Sequence, residues 1–202
     1  MTSASLSPIS IVSKRESKTY TFEKYLRKEA KSVDKHEFIN GKIIKMPGVK
    51  IPHNIIAANI SGEMRAAFKK TEKKYLVFSS DQLIYFPKLD EGVYPDALVV
   101  CEKPVSWKND QLLLTNPLLV VEVLSKSTSK YDRTSKFDKY KTLESFKEYV
   151  LIRQDACYAE VWYREKPGLW HETIVTDMES VLPLQSVGIH VEMREIYSGV
   201  EV

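Results

Sequence analysis

A mixed α/β fold, a sheet with strands running both ways and a few helices laid over it, is predicted for this 202-residue chain by three features. The run LLVVEVL at 118–124 is the most apolar segment and reads as a central strand. A short turn and a helical pattern follow it at once, giving a strand, turn, helix unit. Beyond residue 145, apolar runs of strand length alternate with polar or glycine-bearing turns, so the second half is strand-dominated.

The elements follow in order. Residues 1–18 carry six serines and a basic patch at Lys14, Arg15 and Lys18, which reads as a mobile lead-in to a single domain at 19–202. Thr21 caps a short helix that presents Phe22, Tyr25 and Leu26 to a core edge. Asn40-Gly41 inside HEFINGKIIKM is a two-residue hairpin signal, because both residues tolerate positive φ. Ile56, Ile60, Met64, Ala67 and Phe68 recur at helical spacing, so 54–70 reads as an amphipathic helix on a flat surface. Strands are expected in 75–86 and 94–101, with a turn over 87–92 and a long connection without period over 102–117. After the apolar strand, Ser129 and Asp132 read as a capping pair for a helix over 131–141, with Phe137 and Tyr140 toward the sheet. Strand patterns close the chain at 146–152, 156–162, 169–175 and 187–193.

Composition removes several functional classes. Thirty Lys and Arg against 27 Asp and Glu leave a net charge of +3, too small for a protein that coats nucleic acid nonspecifically. Two basic clusters, Lys69 to Lys74 and Lys126 to Lys141, supply only local positive charge. Cys101 and Cys157 are too few for a disulfide framework or thiolate cage, and no apolar run reaches a membrane span, so a cytoplasmic protein is expected. Glycine-rich phosphate loops, dinucleotide fingerprints and zinc-finger spacings are absent from the sequence, as is any serine or tyrosine with a base and an orienting partner.

Two acids on separate apolar strands remain to be explained. Asp96 follows Pro95 at the head of ALVVC, and Glu122 lies inside the central run, where an unpaired carboxylate is costly. Adjoining strands would bring them together, and oxygen donors on rigid strands suit Mg²⁺ or Mn²⁺, which can orient water and stabilise charge on a phosphodiester. Asp132, Lys136 and Tyr140 are spaced to reach the same place from the helix above. Ser125, Ser127 and Thr128 in the intervening turn can cap that helix or meet a phosphate. His53 stands at the helix entrance after Pro52, and Asp81 is a peripheral polar support. The alternatives are a salt bridge between Glu122 and Lys136, a turn cap for Asp96, solvated lysines and core tyrosines.

HEFINGKIIKM, His53 before an amphipathic helix, YPDALVV and LLVVEVLSKSTSKYDRTSKFDKY together resemble the Uma-two family of restriction-endonuclease-like proteins, from about Thr21 to Gly199. The resemblance implies the PD-(D/E)xK nuclease fold, with Asp96 and Glu122 as metal-binding acids and Glu37 as a third. One position departs: two residues after Glu122, where the parent pattern has lysine, stands Leu124. Lys136 is the preferred substitute and Lys139 the second. The leading expectation is a Mg²⁺- or Mn²⁺-dependent DNA endonuclease, with a homodimer to present two cutting centres. Its rivals are a catalytically silent DNA-binding or regulatory protein of the same fold, and a homomeric interaction protein.

Overall fold

The computed structural model of the protein describes residues 19–202, so the lead-in expected at 1–18 lies outside the described residues. The chain begins with α1 (Phe22–Glu29), the hairpin β1 (His36–Ile39) and β2 (Lys42–Lys45), and α2 (Ile51–Phe68). Strands β3 (Tyr75–Ser79), β4 (Leu83–Phe86), β5 (Glu91–Val93) and β6 (Ala97–Cys101) follow, then the hairpin β7 (Ser106–Trp107) and β8 (Asp110–Leu114). β9 (Leu119–Leu124) leads into a helix in three pieces: α3 (Ser129–Tyr131), a π-helical turn (Asp132–Lys136) and α4 (Phe137–Lys141). The remainder is β10 (Glu148–Arg153), β11 (Ala159–Lys166), β12 (Leu169–Val175), β13 (Val181–Leu184), β14 (Ile189–Glu192) and α5 (Met193–Ile196).

The strands form two six-stranded sheets and a ribbon. One sheet runs β2-β1-β5-β4-β8-β7, the other β12-β11-β10-β9-β6-β3, and β13 pairs with β14. Both large sheets are mixed, each with one parallel pair, β4 with β8 and β9 with β10. The central strands of the second sheet, β6, β9 and β10, are buried on both faces, as their continuous apolar runs require, while β12 at the edge is largely exposed. On one face Val99, Val121, Val123 and Val150 pack against Ile56, Ile60 and Met64 of α2 and against the ribbon. On the other, Leu98, Val120 and Leu124 meet Phe137, Tyr140 and Phe146, together with Ile84 and Phe86 of the first sheet.

Local chemistry accounts for most boundaries. The Thr21 side chain accepts from the Lys24 backbone N–H at 3.3 Å, capping α1 as its residue type predicts. Asn40 and Gly41 take φ of 50° and 72°, the left-handed pair that a two-residue hairpin needs. α2 starts three residues before the expected point, at Ile51, since Pro52 fits a first turn whose N–H groups have no intrahelical partners.

Four expectations are corrected. The turn over 87–92 contains the start of β5, and the connection over 102–117 holds the β7–β8 hairpin, turned by Lys108 and Asn109 at φ of 48° and 63°. Neither residue is glycine, so the turn gave little signal. β13 was not anticipated at all. Ser129 and Asp132 make no capping pair: Thr128 is the N-cap without a side-chain bond, and the Ser129 hydroxyl instead accepts from the Arg133 guanidinium.

Candidate active site

The site lies where β5 gives way to β6. Pro95 has no N–H to continue a ladder, and the segment 94–96 crosses from the first sheet to the second. Its backbone oxygens are thus free for other partners, and the Tyr94 carbonyl accepts from Lys136 Nζ at 3.0 Å.

Asp96 and Glu122 come from adjoining strands, as expected. β6 and β9 pair antiparallel with Ala97 opposite Val121, so Asp96 and Glu122 stand one step further along, and both line a single cavity of about 770 Å³. Their carboxylates meet different partners there. Asp96 accepts from the Val123 backbone N–H at 2.7 Å, and the same oxygen lies 3.2 Å from His53 Nε2 in the first turn of α2. Glu122 points toward the other helix, where Lys136 and the Tyr140 hydroxyl, at 2.8 Å and 2.9 Å, both reach Oε1.

Lys136 is the hub of the cluster. Its ammonium is buried at 4% exposure and lies 2.8 Å from Glu122, 3.5 Å from Glu37 and 3.9 Å from Asp132. The π-helical turn ends at Lys136 and begins at Asp132, and both residues are buried. Such turns interrupt regular helices chiefly where side chains must be re-aimed at a site. Glu37 arrives from β1 and also accepts from the Tyr131 hydroxyl at 3.2 Å.

Negative charge exceeds positive charge here. Burial pushes the Glu122 carboxyl well above its ordinary range; Lys136 opposes this, and the charges of Asp132 and Asp96 add to it. Asp132 is raised chiefly by burial too, against Lys136 and a hydrogen bond from Thr128. Burial alone would strip the proton from Lys136, but Glu122, Glu37, Asp132 and Asp96 together hold it charged, well above the ordinary amine range. An ammonium held in this way donates hydrogen bonds; it does not take protons from water.

The remaining expected residues divide. Ser125 lines the cavity and its hydroxyl lies 3.1 Å from Ser127 and 3.0 Å from Thr128, so the turn is tied to itself. Lys139 is buried and pairs with Glu91 at 2.5 Å, outside the cavity lining. Asp81 is exposed and pairs with Lys35 at 3.0 Å, away from the cluster. Sequence reasoning overlooked Tyr131, the Tyr94 carbonyl and the Val123 N–H. Tyr131 stands at the close of α3, just before the π-helical turn, a position that could have drawn notice; backbone groups leave no residue-type signal at all.

Among the described residues no three His, Cys, Asp or Glu side chains form a ready cation cage. The donor set fits a more open arrangement. Mg²⁺ needs only one or two protein carboxylates alongside water and phosphate oxygens, and Asp96 and Glu122 are two hard oxygen donors at one cavity. Glu37 is engaged by Lys136 and Tyr131, and Glu122 more closely by Lys136 and Tyr140.

Comparison with other proteins identifies the family and the fold. The family model described as "Uma2: Putative restriction endonuclease" matches residues 22–194. Two uncharacterized proteins of Synechocystis sp. (strain ATCC 27184 / PCC 6803 / Kazusa) are similar: sll1609 is 34% identical over 148 residues, 73% of this chain and 82% of its own. The second, slr1290, is 29% identical over 179 residues, 88% of this chain and 90% of its own. A crystal structure of "a putative nuclease belonging to DUF820" from Anabaena variabilis ATCC 29413 shares the fold, with a TM-score of 0.68 at 19% identity over 88% of this chain and 97% of that one. With most of its length matched by one family model, the chain belongs to the Uma2 family.

Proposed function

We propose that the protein hydrolyses phosphodiester bonds in DNA as a Mg²⁺- or Mn²⁺-dependent endonuclease. The observation that carries this reading is the surplus of carboxylates at one cavity, with Asp96 and Glu122 delivered by adjoining strands and the Lys136 ammonium fixed beside them. Held by Asp96 and Glu122, the ion would polarise a phosphodiester oxygen and lower the pKa of an attacking water. The Val123 N–H aims Asp96, and the Tyr140 hydroxyl aims Glu122. Lys136 takes the place of the lysine missing at Leu124: held charged, with its N–H groups on the Tyr94 carbonyl and Glu122, it balances negative charge that builds during attack. Glu37 and Tyr131 steady Lys136 from the far side.

Purified protein is expected to cut DNA with Mg²⁺ or Mn²⁺ and not in EDTA. Glu122→Gln should lower the rate at least about 100-fold, the scale for losing a group that stabilises the transition state, with an unchanged circular dichroism spectrum. Cleavage at the parent rate by that variant would remove Glu122 from the mechanism. The second reading, a silent DNA binder of the same fold, is favoured by Leu124 and by the engagement of Glu122 with Lys136; it predicts salt-sensitive DNA binding with no ion-dependent cutting. Sedimentation equilibrium tests the homodimer expected from the need for two cutting centres.

A further inference from the structure

The hairpin wall of the cavity has a composition that phosphodiester chemistry does not require. β1 and β2 pair with Glu37 opposite Ile44 and Ile39 opposite Lys42, so one hairpin face carries Glu37, Ile39, Ile44 and Lys42, while Phe38 and Ile43 point the other way into an aromatic cluster with Phe22 and Tyr25. A hairpin with one face on a core ordinarily turns polar side chains outward. Here Lys42 is the polar group, Ile39 packs on the core beside buried Glu37, and Ile44 is left as bare apolar surface that Met46, Pro47 and Val49 continue along the same cavity. Ile44 and Val49 are 44% and 49% exposed, so this surface is uncovered.

We propose that this wall receives one unstacked nucleobase of a single-stranded or locally opened nucleic acid, while the adjoining phosphate lies at the acids. The inference rests on the nuclease reading for the site and adds to it the class of strand. A cavity of about 770 Å³ with an apolar wall and a few convergent polar groups suits a single enclosed group, whereas the faces of stacked bases in a duplex are already covered. The rim carries the complementary charge: Lys45, Lys50 and Lys126 line the same cavity and are solvent-exposed, placed to meet the phosphates on either side of an inserted base. Lys45 is shared with Asp34 at 2.6 Å, so Lys50 and Lys126 are the freer pair.

The test compares three fluorescein-labelled oligonucleotides of one sequence, single-stranded, blunt duplex and duplex with one bulged base, binding to full-length Glu122→Gln protein in Mg²⁺ at fixed salt, read by anisotropy. The single strand should bind about tenfold more tightly than the blunt duplex, the order expected from burying part of one base against apolar side chains, with the bulged duplex between them. Combining Ile44→Ser with Val49→Ser, both at exposed positions, should erase that margin by weakening the single strand and leaving the blunt duplex unchanged. Blunt duplex bound as tightly as single strand, an unchanged margin in the serine variant, or binding of neither form would each overturn the inference. Absence of cutting by the wild-type protein with any divalent ion, while the margin persists, would sink the nuclease reading and leave the base-binding wall standing.

Discussion

Glu122 and Glu148 sit on neighbouring parallel strands, both buried, yet they are solvated by the protein in opposite ways. Glu148, at the head of β10, has no cation within ion-pair distance among the described residues. It accepts instead from the backbone N–H groups of Gln185 and Ser186 at 2.8 Å and 3.0 Å, and from the Ser186 hydroxyl at 2.6 Å. Glu122, near the far end of β9, has a cation at 2.8 Å but shares it with Glu37 and Asp132. The first carboxylate is satisfied by local donors and closes off from other ligands; the second belongs to a cluster with too few positive charges, facing a cavity. Burial of an acid therefore does not by itself mark a site. An uncompensated group of acids that opens onto solvent does, because a further cation or a polar ligand relieves it.

The largest effect should come from removing the hub. Lys136→Met leaves the buried carboxylates without their counter-charge and should cost about 3–5 kcal/mol near neutral pH, read by urea denaturation. The loss should shrink as pH falls. A carboxyl raised in the folded state keeps a proton where the unfolded chain has released it, so its penalty is complete above the folded pKa and disappears below the ordinary value of 4.5. A variant as stable as the parent from about pH 8 to about pH 5 would show that the cluster is not short of charge.

Glu148→Gln should cost about 1–3 kcal/mol, since the amide places an NH₂ group against donors that now face an acceptor. DNA cleavage should be untouched by this change, and a matching fall in activity at full occupancy of the folded state would erase the contrast between the two acids. Glu122→Gln should alter stability least, by about 1 kcal/mol or less, because it removes one of several competing charges while keeping an acceptor for Tyr140. For the parent protein, the raised values of Glu122, Asp132 and Glu148 give a stability that climbs as pH drops through those raised values toward the ordinary carboxyl range, and the Glu122→Gln curve should be flatter.

Where the sequence carried its own physical cause, the structure was legible in advance. Thr21, Asn40-Gly41 and the apolar spacing of α2 act over a few residues, and each produced the element its chemistry predicts. Asp96 and Glu122 were recognisable as partners because both interrupt apolar strands, where a carboxylate needs a reason. Lys139 shows the limit: residue type alone kept it as a second substitute for the missing lysine behind Lys136, and packing sends it to Glu91 instead.

The amino-acid order alone thus determined the first cap, the Asn40-Gly41 hairpin, α2, the central strand and the mixed α/β class, since these follow from short-range sterics and from apolar periodicity, whereas the β7–β8 hairpin and β13 carried no such signal. Which lysine joins the acids, which buried glutamates are satisfied by backbone donors, and the exposed apolar wall beside Glu37 were decided only in three dimensions. The reason is that charge balance and cavity shape depend on groups far apart in the chain, such as Glu37 and Lys136, whose meeting no local pattern encodes.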